Sequence, residues 1–105
     1  MIPYKFIDFI PKIKSETEKD NLHWQEGTMN GFYCIKKAHT LNISSYFDTE
    51  SEIDTITFSI TTNGKETPFN VTNETTSDFN KMRELYAAVK ANANNVEDDI
   101  ADFLS

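Results

Sequence analysis

Between Leu22 and Thr72, apolar and β-branched residues recur at every second position, while on both flanks the spacing changes to three and four. A period of two belongs to half-buried strands and a period near 3.6 to amphipathic helices. Helix, then strands, then helix is the order of an α+β chain whose helices gather on one face of an antiparallel sheet. The expected boundaries are a helix over about 3–18, a sheet over about 22–72 and a helix over about 77–104, all within one domain.

Strands are expected near 22–25, 32–37, 40–47, 55–61 and 67–71. Val, Ile, Thr and aromatic residues dominate there, as suits a pleated, half-buried surface. Leu41, Ile43 and Phe47 share one face of their strand, with Ser45 as a polar gap, and Ile56, Phe58 and Ile60 share one face of the next. Thr55, Thr57, Ser59 and Thr61 then fall on the wet face. The sharpest turn signal is Asn63-Gly64, because a two-residue type I′ hairpin needs positive φ at both central positions and this pair tolerates it. Short connections of this kind turn a four- or five-stranded sheet into a meander.

Near the start, Phe6, Ile10, Ile13 and Thr17 lie at helical spacing, and Pro3 suits a first turn. Pro11 lacks an N–H and its ring crowds the carbonyl four residues back, so a kink or a late helix start is expected. Toward the end, Phe79, Met82, Tyr86, Val89, Ala93, Val96, Ile100 and Phe103 form one stripe behind the N-cap candidates Thr76, Ser77 and Asp78. That predicts one long C-terminal helix packed on one face of the sheet. Its weak point is 92–95, where Asn propensity is poor and where Glu97, Asp98 and Asp99 would suit the first turn of a new helix. A helix of about 26 residues spans nearly 40 Å, longer than the strands beneath it, so its end should overhang.

The formal net charge of −7 repels phosphate backbones and argues against direct nucleic-acid binding; a basic protein partner fits it better. Cys34 is the only cysteine, so no intrachain disulfide can form, and a cytoplasmic setting is expected. The opening stretch "MIPYKFIDFIPKIK" is broken by Asp8 and by prolines and lacks a basic lead and a small-residue cleavage site. It reads as neither a signal peptide nor a membrane span. Sequons at Asn42, Asn70 and Asn73 are what chance supplies in a chain this rich in Asn, Ser and Thr.

The run "FDTESEID" sets Asp48, Glu50, Glu52 and Asp54 at alternate positions. Calcium needs several oxygens on a loop that wraps the ion, and Ile53 stands where an EF-hand requires glycine. On an extended strand, successive carboxylates of the run would lie about 7 Å apart, too far to share one ion. The run therefore reads as a solvated turn or an acidic contact surface, and no metal site is expected. For catalysis the supply is Cys34, His23 and His39; on one extended strand Cys34 and His39 would point to opposite faces unless a turn at 36–38 brings them together. Cys34 reads as a small core residue. With three glycines in the chain, a phosphate cradle is hard to build, and no cofactor is implied.

These features lead to a non-catalytic protein-binding module, an inhibitor or adaptor for a basic, nucleic-acid-handling protein. Val96, Ile100, Phe103 and Leu104 would supply apolar contacts, and Glu50, Glu52, Asp54 and Asp99 selectivity and on-rate. No membrane partner is expected. A homodimer through the C-terminal helix would have to be antiparallel, since Glu97, Asp98, Asp99 and Asp102 repel an identical parallel neighbour. The alternatives are a small dimeric secretion-type chaperone and, behind it, an enzyme or a metal-binding protein.

Overall fold

The computed structural model describes residues 1–105. A short 3-10 helix at Tyr4–Phe6 leads into α1, Phe9–Glu18. Five strands follow, β1 at Gln25–Glu26, β2 at Gly31–Lys36, β3 at His39–Asp48, β4 at Ile53–Thr62 and β5 at Lys65–Thr72. They pair antiparallel in sequence order. Two helices close the chain, α2 at Thr76–Ala93 and α3 at Val96–Leu104. The fold is thus α+β, with an N-terminal helix and a meander sheet covered on one face.

Pro11 explains the late start of α1. It is the third residue of the helix, where the backbone N–H has no intrahelical acceptor in any case. At the β4–β5 turn both Asn63 (φ 51°) and Gly64 (φ 79°) take the left-handed conformation that the two-residue hairpin demands. Gly31, at the start of β2, is needed for space, because a Cβ there would come within 2.9 Å of the Thr28 carbonyl.

Cross-strand register aligns the core. Phe32, Ile43, Phe58 and Phe69 form one row across β2–β5, and Ile56 pairs with Val71 in the next. Onto these rows α2 lowers Phe79, Met82, Leu85 and Val89, all buried. Phe6 and Phe9 complete the cover, with ring centroids 6.1 and 6.3 Å from Phe58. Edge-to-face aromatic pairs of this kind add about 0.5–1.5 kcal/mol beyond burial. The opposite face carries Thr55, Thr57 and Thr61, with Ser59 buried among its neighbours and donating to Glu66 Oε2 at 3.3 Å.

The single long C-terminal helix expected from the stripe is corrected to two. α2 ends where the Asn94 N–H bonds to the Lys90 carbonyl, and Asn95 then turns left-handed at φ 53°. Asn tolerates that conformation better than most residues, and Glu97, Asp98 and Asp99 meet the positive end of the new helix. The first strand is also displaced from 22–25. Leu22 and Trp24 are buried, but as part of the connection that precedes β1.

That connection is held by one side chain. Asn92 accepts from the Trp24 N–H at 2.8 Å and donates to the Leu22 carbonyl at 2.8 Å, and it reaches the Thr17 carbonyl and Asp20 Oδ1 at 3.3 Å. The Trp24 indole donates to Thr17 Oγ1 at 3.0 Å, with both residues buried. The end of α1, the entry to the sheet and the end of α2 therefore meet at Asn92. At the other end of the helices, the Ile2 N–H bonds to Asp78 Oδ2 at 2.9 Å and ties the chain start to the first turn of α2.

Candidate functional site

α3 is the least packed element of the fold. All nine of its residues are exposed, its main neighbour is α2, to which it is joined, and only its start, Val96–Asp98, borders a cleft shared with the ends of α1 and α2. Its apolar residues fall at i, i+4, i+7 and i+8, giving a stripe of Val96, Ile100, Phe103 and Leu104. Phe103 and Leu104 are 86% and 76% exposed. Glu97 and Asp99 flank the stripe, Asp98 and Asp102 lie on the opposite side of the helix, and no lysine or arginine pairs with any of them. The projection also enlarges the molecule. Its radius of gyration is 14.3 Å, against about 13 Å for a compact chain of this length.

The acidic run is a hairpin turn. Asp48 pairs with Ile53, and Glu52 is left-handed at φ 58°. Asp48 Oδ1 accepts the Glu50 N–H at 3.0 Å, the side-chain-to-backbone bond that favours Asp in turns. Glu50 and Glu52 are exposed in this turn, but Asp54 is not their companion. It lies within β4 opposite Phe47 and is half-buried, and its Oδ1 is shut away from water without a hydrogen-bond partner. No group of three or more Asp, Glu, His or Cys side chains is arranged to hold a metal ion. The Glu50–Glu52 turn closes the far end of β3 and β4, and α3 follows the end of α2, so the residues singled out by sequence fall into two separate patches.

Cys34 and His39 do come to one place. Lys36 pairs directly with His39, so residues 37 and 38 alone make the turn, and both side chains line one cleft between α1 and the sheet. They do not form a nucleophile–base pair. His39 Nδ1 is hydrogen-bonded to Thr62 Oγ1 at 2.6 Å instead. Burial pushes the Cys34 thiol above its ordinary value of 9.0, against smaller opposing effects from the His23 backbone and the Lys36 charge. A neutral, buried thiol is a poor nucleophile. His23 lies in a different cleft, bounded by the ends of α1 and α2.

Sequence reasoning missed the importance of Asn92. In sequence it reads only as a poor helix former, because its partners lie about seventy residues away. The chain matches no protein-family model, no curated protein and no solved structure. No helix is long and apolar enough to cross a membrane.

Proposed function

We propose that this chain is a non-catalytic protein-binding module whose docking element is α3 and whose partner is a protein with a basic surface around an apolar groove. The observation that supports the reading is the exposure of Val96, Ile100, Phe103 and Leu104 along one side of a helix that nothing covers. A helix of this pattern lays its apolar side into a groove, and its carboxylates select for positive charge at the rim. Glu50 and Glu52 form a second, smaller acidic contact. An inhibitor or adaptor that masks the nucleic-acid-binding surface of its partner is the version that best uses this charge. The bare stripe also supports a secretion-type chaperone working as an antiparallel dimer, which would bury the stripe against its own copy.

The test uses affinity capture from lysate of the source organism with the wild type and with an Ile100→Asp/Phe103→Asp variant, at low and high salt. A basic protein retained by the wild type, and lost both from the variant and at high salt, is the expected result. Identical captures by the two proteins refute the reading. A wild type that sediments as a dimer while the variant is monomeric replaces it with the chaperone version.

A further inference from the structure

A second surface differs in chemistry from α3. α1 packs against α2 and, through Ile10 and Ile13, on the core it shares with the sheet, and a cleft opens beside its later part. The volume of this cleft is about 720 Å³, within the range of small-ligand sites, roughly 300–1,000 Å³. Its walls are apolar: Phe9 and Ile13 from α1, Leu41 and Ile60 from the sheet, and Leu22 from the connection. Cys34 sits among them as a small hydrophobe.

The mouth is basic, although the chain as a whole carries a net charge of −7. Lys36, Lys37 and His39 stand together at the tip of the β2–β3 hairpin. Neither lysine has a carboxylate within ion-pair distance; the one salt bridge in the molecule joins Lys14 and Glu18. On the opposite lip, Glu16 is engaged by Asn21, whose Nδ2 donates to Glu16 Oε2 at 2.6 Å. The bond of His39 Nδ1 to Thr62 leaves Nε2 free.

We propose that this cleft binds a small amphipathic monoanion, a free medium-chain carboxylate whose tail lies between α1 and the sheet and whose head meets Lys36, Lys37 and His39. An open cleft with an apolar floor and unpaired cations at its mouth matches a ligand with one charge and one hydrocarbon chain. It does not suit a phosphate ester of a nucleoside, which would need a cradle of backbone N–H groups. Two lysines facing one engaged carboxylate give the mouth a positive balance, whereas α3 offers an anion only repulsion.

The experiment is a titration of the full chain with decanoate, followed by methyl and amide NMR, with decanol and acetate in parallel. The expected result is saturable movement of the Ile13, Leu41 and Ile60 methyls by decanoate, at least fivefold weaker binding of decanol, and none of acetate. A Lys36→Gln/Lys37→Gln variant, altered only at exposed positions and so expected to fold, should lose decanoate affinity by at least fivefold while binding decanol as the wild type does. Shifts confined to the methyls of Val96, Ile100 and Leu104 would assign the binding to α3 and overturn the proposal. Equal affinity for decanoate and decanol, unchanged binding by the lysine variant, or no shift at millimolar decanoate would overturn it as well. The outcome is independent of the α3 reading, since the Ile100→Asp/Phe103→Asp variant should bind decanoate unchanged.

Discussion

Replacing Asn92 with alanine tests the joint on which both helical ends depend. The substitution removes the acceptor of the Trp24 N–H and the donor to the Leu22 carbonyl, both at 2.8 Å, and two weaker contacts at 3.3 Å. Each of the two short bonds leaves a part-buried backbone group without its partner. A group abandoned in that way costs about 1–3 kcal/mol, with values near the lower end expected where some water can enter. The weaker pair adds about 0.5 kcal/mol, and the better helix propensity of alanine returns about as much. The net loss is then about 2–3 kcal/mol. For a chain of this length 1 kcal/mol corresponds to roughly 4–5 °C, so the melting temperature should fall by about 8–15 °C.

The assay is urea and thermal unfolding followed by far-UV circular dichroism and Trp24 fluorescence. An unchanged urea m-value would show that the loss is one of stability rather than a change in the denatured ensemble. Asn92→Asp keeps an acceptor for Trp24 but loses the donor to Leu22 and sets a carboxylate near Asp20, so it should fall at least as far as alanine. Asn94→Ala is the matched control at an exposed position of the same segment and should stay within about 0.5 kcal/mol. A loss below about 1 kcal/mol for Asn92→Ala would refute the reasoning, because water would then be replacing the amide without difficulty.

Removing residues 96–105 should change the unfolding free energy by less than about 1 kcal/mol, since no α3 side chain is buried; a larger loss in urea titration would place α3 in the core. The raised thiol of Cys34 makes stability depend on alkaline pH. Its contribution is full below the ordinary value of 9.0 and is lost as pH rises through the higher folded value, because the unfolded thiol ionises first. Urea midpoints should therefore fall above about pH 9, with Cys34→Ala showing a lower baseline and a shallower slope. Tyr86, also raised by burial, adds a similar decline above its ordinary value of 10.0, which Tyr86→Phe should remove.

The parts of the fold that could be read in the sequence are those whose cause is local. Asn63-Gly64 announces its hairpin because two adjacent residues carry the whole geometric demand. The rows of β3 and β4 follow from alternation, which fixes register once one face is buried. Trp24 misleads for the opposite reason. It continues the alternation of a strand, yet its N–H is taken by Asn92 from the far helix, so the ladder begins only at Gln25. The stripe through Val96 misleads in a related way. Spacing alone cannot register that Asn95 takes a left-handed conformation, which ends the common face of α2 and α3. Cys34 and His39 depended on a turn whose length the sequence left open; two residues put them on the same face, and one more would have separated them.

The break at Asn95 bears directly on what α3 can do. Had the helix run on, the residues after Ala93 would have prolonged a rod already anchored through Met82, Leu85 and Val89, and its end would have had one direction. Separated by a single left-handed residue, α3 has its own axis and no packed side. A helix of nine residues is marginal in water without tertiary support, and the acidic first turn supplies only about 0.3–1 kcal/mol per favourable charge. On the proposed reading, covering the stripe with a partner would supply the missing support and couple the ordering of α3 to binding. Affinity would then be reduced by the ordering cost. The lower end of α1 joins this region to the other surface. Glu16 lines the cleft beside α1, while Thr17 and Glu18 face the start of α3, and Asn92 bonds to the Thr17 carbonyl between them. The Asn92 joint thus gives the core one edge from which α3 and the cleft both begin.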